Sequence, residues 1–208
     1  MKINKPIIKD VELKDLYTCF TKNTLEDSMF SNDKIKDSIT INDITINGCI
    51  FKNIDFSNIH FNDIDIMDTI FENCDLSNKC FDNRLISRVM FKNCKFVGST
   101  FLNSSIKDVE FEGCKCDYLN LSGSKINNLL INESDFKEAS FIEVKIKNIF
   151  FKNVKLYKTE FLNTNLKGVD FSSSDIFGTI FDYYSIKGII IDSFQSQYLI
   201  NMLGVTIK

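Results

Sequence analysis

FKNIDFSNIHFNDID, residues 51–65, sets Phe51, Phe56 and Phe61 five residues apart. A helix brings neighbours together at three and four residues and a strand at two, so a spacing of five scatters around one and changes face on the other. Followed in both directions, the register holds from Ile41 to Ile191: all 31 positions are Ile, Phe or Leu, with Cys116 the single weaker member. Chance at 44% hydrophobic residues does not sustain such a run. A fixed short period marks a stacked solenoid.

Two residues after each apolar centre, Gly, Asn or Asp stands at 22 of the 31 sites, Gly48, Gly113 and Gly168 among them. These residues tolerate the backbone of a tight turn, so each pentad reads as a short extended piece and a corner. Two residues before the centre the side chain is small or β-branched, as in Cys49, Thr69, Cys94, Ser99, Ala139 and Val144, which suits a second inward position. Sorted by a period of 20, Ile46, Ile66, Ile86, Ile106, Ile126, Ile146, Leu166 and Ile186 form one column, and Phe dominates the columns starting at Ile41 and Phe51. Four pentads therefore close one coil. The sequence predicts an all-β, four-sided β-helix with Phe ladders on two opposite walls and an aliphatic ladder on a wall between them.

Pentads such as Val169-Asp170-Phe171-Ser172-Ser173 and Cys74-Asp75-Leu76-Ser77-Asn78 resemble the loose motif of the pentapeptide-repeat proteins: a small residue, Asp or Asn, Leu or Phe, then two variable residues. The resemblance covers most of the chain and implies a right-handed quadrilateral β-helix, the pentapeptide-repeat solenoid.

With 208 residues the chain is long enough for one continuous core, and each coil touches only its neighbours, so both ends need caps. No apolar run approaches the ~20 residues of a membrane span, and MKINKPIIKD at the N-terminus lacks a signal-peptide core. The expected location is cytoplasmic, with no membrane partner. Cys74, Cys94 and Cys114 recur at 20 residues on an inward column and Cys116 is itself a centre, while the lone histidine, His60, falls on another wall. Zinc wants four convergent ligands, so these read as reduced core thiols, with no metal and no cofactor.

Residues 1–18 show no repeat and contain the only proline, Pro6, which suggests an N-terminal cap. Phe20, Leu25, Phe30 and Ile35 place a first coil over 19–38, and a one-residue slip before Ile41 separates it from the main β-helix, 39–191. Lys79 and Arg84 occupy small inward positions, where the wall either bulges or sends out a loop. The last segment, 192–208, holds a short helix: Asp192 or Ser193 as N-cap, apolar residues at 194, 198, 199, 202 and 203, and Gly204 as stop. Such a helix fits either a lid over the last coil or a self-complementary dimer contact.

The ending IDSFQSQYLINMLGVTIK is similar to the C-terminus of the Qnr-type quinolone-resistance proteins within the same superfamily. That resemblance implies a two-fold homodimer, here through Phe194, Tyr198, Leu199, Met202 and Leu203. Sorting outward residues onto the four walls gives one wall with Asp43, Asp63, Asp82, Glu143, Glu160 and Asp182 and no Lys or Arg at its outward positions. The wall built on Ile46, Ile66 and Ile86 carries seven basic residues against three acidic.

The resemblance implies a DNA-mimicking rod that occupies the DNA-binding saddle of the type II topoisomerases, DNA gyrase and topoisomerase IV, and protects them from quinolones. A rod of roughly 40 Å at ~4.8 Å per coil suits that role. Its acidic charge disfavours nucleic acid itself as a direct partner. Qnr-type proteins of Gram-negative bacteria interrupt their pentads with loops, whereas this register never breaks after Ile41. Protection is then weaker, specific to a host enzyme, or carried by the stretch near Arg84. The alternative is a non-catalytic scaffold or adaptor for another protein. An enzyme is disfavoured: the sequence has one histidine, no Trp, no phosphate-binding Gly-rich loop and no nucleophile beside a base.

Overall fold

The computed structural model describes residues 3–21, 25–33, 35–202 and 204, and every strand pairing among them is parallel. From Ile39 onward the pairing joins each residue to the one 20 further on, as in Ile66 to Ile86 to Ile106 to Ile126. The protein is a four-sided β-helix that ends in a short helix.

The apolar centres fill its axis. Phe51 and Phe71 stack with ring centroids 4.8 Å apart and planes at 7°, Phe81 and Phe101 at 4.7 Å, and Phe151 and Phe171 at 4.9 Å. These spacings match the rise of one coil, so each ring meets its counterpart face to face. Across the corners the rings meet edge-on, as between Phe91 and Phe96 at 4.8 Å and 82°. The second inward residue is buried too, and polar members of that set solve the hydrogen-bond problem locally. The hydroxyls of Ser99, Ser104, Thr159 and Thr164 donate to the carbonyls of Leu76, Phe81, Phe136 and Phe141 at 2.6 to 2.7 Å. A buried hydroxyl that is paired no longer carries its desolvation cost uncompensated.

Corners follow from the left-handed backbone two residues after many of the centres, with φ +55° at Asn73, +55° at Asn103 and +73° at Gly123. At Gly123 glycine has a second reason: a Cβ there would stand 2.2 Å from Asn103 Oδ1 in the coil beneath.

The cysteines are free thiols, and all but Cys80 are buried. Cys74, Cys94 and Cys114 donate to the carbonyls of Phe51, Phe71 and Phe91 at 3.4 to 3.5 Å. Burial raises the pKa of Cys49 to about 11, and the neighbouring Cys114 thiol together with burial raises that of Cys94 to about 12. Neither is a reactive thiolate at neutral pH.

The first coil pairs with an offset of 21, Met29 to Ile50 and Phe30 to Phe51, before the offset settles at 20. Phe20 does not start a strand. It belongs to helix α1, Leu16–Thr21, whose Leu16, Cys19 and Phe20 are buried over the end of the rod, with Asp15 Oδ1 accepting from Thr18 N at 2.7 Å as the N-cap. Residues 4–9 run along the side of the rod, with Asn4 at Asp108 and Ile7 at Asp68. Residues 79–90 neither bulge nor loop out, because Cys80 bridges Thr100 and Ile86 pairs with Ile66 and Ile106 in the common register. Lys79 is tolerated inside because its ammonium reaches the Ser57 carbonyl at 3.4 Å; burial lowers its pKa and the nearby Asp55 and Asp75 act against that.

Candidate interaction surface

The wall bearing the six carboxylates divides into two clusters. Asp43, Asp63 and Asp82 lie in the early coils and Glu143, Glu160 and Asp182 in the late ones, separated by Leu102, Asn103, Asn120, Ser122 and Gly123. Asp43, Asp63 and Glu143 are exposed and the other three half-buried. The half-buried acids also serve the fold. Asp82 Oδ1 accepts from Leu102 N at 2.8 Å, Glu160 Oε2 from the Ser140 hydroxyl at 3.3 Å, and Asp182 from Asn163 N at 2.6 Å and Ser185 N at 2.7 Å. Burial pushes the Asp182 carboxyl up, but the N–H groups of Asn163 and Ser185 outweigh it and leave its pKa below the ordinary value.

The wall is also not free of cations. Arg84 sits at an inward sequence position, yet its side chain turns out and meets Asp63 Oδ1 at 2.8 Å. An arginine is too long and too polar for a slot that in other coils takes Ile64, Ser104, Ser124 or Val144, and its guanidinium finds a carboxylate at the adjoining corner.

Lys107, Lys125, Lys145 and Lys147 line an open groove of about 720 Å³ with Asn127, Asn163 and Tyr184. None of these four has a carboxylate within ion-pair distance among the described residues. Glu143 of the carboxylate wall lines the same groove, so the two walls meet there.

At the far end, helix α2, Ser193–Met202, is opened by a reciprocal cap in which Gln195 N donates to Asp192 Oδ1 at 2.8 Å and Asp192 N to Gln195 Oε1 at 3.0 Å. Gln195 Nε2 donates to the carbonyls of Phe171 and Ser174 at 2.9 and 2.6 Å, and the Tyr198 hydroxyl to Thr179 O at 2.8 Å, so the helix seals the carbonyls of the last coil. The residues expected at the dimer contact separate by role. Leu199 is buried against the rod and Tyr198 half-buried, whereas Phe194 is 86% exposed and Met202 36%. Leu203 lies outside the described residues. Phe177, 65% exposed, packs against Tyr198 at 5.7 Å and Tyr157 at 6.4 Å, and with Phe194 forms an apolar patch beside the helix. Sequence reasoning missed Phe177 because it falls at an ordinary outward position; the exposed Tyr157 stacked one coil before it was the available signal.

Among the described residues no group of three or more His, Cys, Asp or Glu is arranged to hold a metal ion, and no helix is long and apolar enough to cross a membrane.

A parallel β-helix with four sides of one pentad each defines a class. A family model for a pentapeptide repeat region matches residues 64–141 and one for pentapeptide repeats matches 134–172, together more than half of the chain, which belongs to the pentapeptide-repeat family. Among solved structures, a trypsin-treated form of QnrB1, a plasmid-mediated fluoroquinolone resistance protein, matches over 95% of this chain and 95% of its own, at 20% identity and a TM-score of 0.53. A second trypsin-treated QnrB1 form covers 88% and 89% at 20% identity and 0.47. A pentapeptide repeat protein from the Arabidopsis thaliana thylakoid lumen covers 46% and 67% at 14% identity and 0.35. No curated protein sequence matches.

Proposed function

We propose that this protein is a Qnr-type DNA mimic that binds a type II topoisomerase, DNA gyrase or topoisomerase IV, in the cytoplasm and protects it from quinolones. It acts by binding and not by catalysis. The observation that carries the reading is a row of carboxylates along one wall of a rigid rod, with Asp43, Asp63 and Glu143 exposed, beside a wall that gathers lysines. Supporting it is the length-matched likeness of the fold to QnrB1. A basic DNA-binding groove attracts such a wall through the long-range field that draws in DNA, whose charge is about one per 1.7 Å. The active form is a homodimer joined at the C-terminal helix. There Leu199 and Tyr198 hold the helix on the rod, and Phe194 and Met202 face the second copy.

The test is gyrase supercoiling in ciprofloxacin, with and without the purified protein, together with a direct binding measurement. The protein restores supercoiling. Reversal of Asp43, Asp63 and Glu143 to Lys weakens binding about tenfold or more and the effect fades with added salt; reversal of Lys107, Lys145 and Lys147 to Glu does not weaken it. Equal losses from the two sets, or none from either, would reject the acidic wall as the interaction surface. For the dimer, Phe194→Asp with Met202→Lys gives a folded monomer by light scattering, and a dimer persisting in that variant rules this helix out as the contact.

A further inference from the structure

One outer edge of the rod is already occupied, by the chain's own N-terminal segment. Asp68, Asp108 and Glu110 sit at outward positions of their coils, yet they are only 8%, 1% and 8% exposed. Residues 4–9 cover them. Asn4 Nδ2 donates to Asp108 Oδ2 at 2.9 Å, Lys5 pairs with Glu110, Ile7 N donates to Asp68 Oδ1 at 3.0 Å, and Lys9 meets Asp27 at 3.3 Å. The geometry is that of an extended chain laid along the rod axis. From Asp68 to Asp108 is two coils, about 10 Å at ~4.8 Å each, and from Asn4 to Ile7 is three residues, about 10 Å when extended.

We propose that the edge formed by Asp68, Asp108 and Glu110 is a docking site for an extended, lysine-bearing peptide segment of a partner protein, and that residues 4–9 are a resident occupant which that segment displaces. The chemistry of the contacts defines the ligand. One is a backbone N–H, which any extended peptide supplies; one is a lysine ammonium; one is a side-chain amide. The named contacts of the occupant are polar, with Ile7 62% exposed and the side chains of Lys5 and Lys9 58% and 72% exposed, while Pro6 and Ile8 are half-buried. Ion pairs with so exposed an ammonium hold weakly, which leaves the segment exchangeable. Asp68 and Asp108 remain anionic beneath it. Burial pushes Asp108 up, but the amides of Asn4 and Asn128 outweigh burial, and Asp68 is held below its ordinary pKa first by the Arg88 guanidinium. This site is independent of the topoisomerase reading, which uses a different wall.

The experiment uses the full chain and a dye-labelled peptide MKINKPIIKD. Asn4→Ala with Lys5→Ala frees the resident segment, seen as lost hydrogen-exchange protection of the Ile7 amide. That variant binds the peptide at least about tenfold more tightly than the unaltered chain, whose site is masked by its own segment. Adding Asp108→Asn and Glu110→Gln to it abolishes binding, and salt weakens binding without any further substitution. The proposal is overturned if Ile7 stays protected, if the freed chain does not bind the peptide, or if a peptide with both inner lysines replaced by alanine binds as well.

Discussion

The coils from Asp65 to Asn132 and those from Lys145 to Ile191 keep one apolar register and differ in everything outside it. In the first set, eight-residue strands such as Asp65–Glu72 and Ser105–Glu112 carry straight across the corner between two walls. In the second, the strands shrink to pieces such as Lys145–Ile146 and Glu160–Phe161. Ile66, Ile86, Ile106 and Ile126 are buried, while Ile146, Ile186 and Ile191 are half-exposed. Of the large exposed aromatics in the two sets, Phe150, Tyr157, Phe177, Tyr183 and Tyr184 lie in the second and Tyr118 in the first.

The corner residues supply the cause. Asp68 is tied to Arg88 by two hydrogen bonds, and Asn148 donates to Asn128 and Asn128 to Asp108 at 2.8 and 2.7 Å, so one coil braces the next. The chain of contacts stops where Gly168 and Gly188 take that position. Inward residues decide that a coil forms, and outward residues decide whether its edge is sealed and polar or open and aromatic.

The sharpest way to test this division is a pair of truncations. Phe101→Ala removes a ring stacked at 4.7 Å on Phe81 and should destabilise by about 3 to 5 kcal/mol through lost burial and a cavity that stacked coils cannot collapse. Phe177→Ala, at an exposed outward site, should cost less than about 0.5 kcal/mol. Chemical denaturation decides it, and comparable losses would break the comparison.

A second pair sharpens it at the corners. Both Gly123 and Gly168 have positive φ, +73° and +81°, so alanine is strained at either, at about 1 kcal/mol or more. Only at Gly123 does the new Cβ collide with the coil beneath, at 2.2 Å from Asn103 Oδ1, whereas at Gly168 nothing lies within 4 Å. The Asn103 side chain is exposed and can turn aside, so both substitutions should cost about the strain, on the order of 1 kcal/mol, with Gly123→Ala the larger of the two.

How much of this was legible follows the same division. The spacing of five, the corner residues and the columns of 20 are local and repeated many times, so they specify the four-sided core and the ladders of rings. The contacts of the N-terminal segment are neither local nor repeated: Lys5 finds Glu110 and Ile7 finds Asp68 across most of the rod. Nothing in MKINKPIIKD says which coil it will meet. Arg84 was misplaced for a related reason, since a position in a repeat assigns where a side chain starts and a long flexible one ends elsewhere.

The braced corner also predicts a pH dependence. Asp68 has a folded pKa below its ordinary value, first because of the Arg88 guanidinium, so its contribution is present above the unfolded pKa of about 4 and is lost as pH falls through the lower folded value. Asp68→Asn should lower stability by on the order of 1 kcal/mol at neutral pH. The difference from the unaltered chain should begin to close below pH ~4 and be gone once the pH is below the lowered folded value, where both forms carry an uncharged group. Thermal melts across that range give the answer, and a gap that widens toward acid would contradict the assignment.

The smallest effect expected is at Lys107, whose exposed side chain extends from the same strand that buries Asp108. It lies on the lysine groove and has no carboxylate at ion-pair distance, so Lys107→Ala deletes no hydrogen bond and no packed ring. Its one traceable influence is a weak field at Asp108, which lowers that carboxyl's pKa after the larger contributions of Asn4 and Asn128. Exposed charges at such range are screened within about 8 to 10 Å at physiological salt, and the change in stability should stay under about 0.5 kcal/mol. If calorimetry instead finds a loss comparable to that of Asp68→Asn, outward lysines brace the coils as the corner acids do. The lysine wall would then be part of the scaffold and not a free surface.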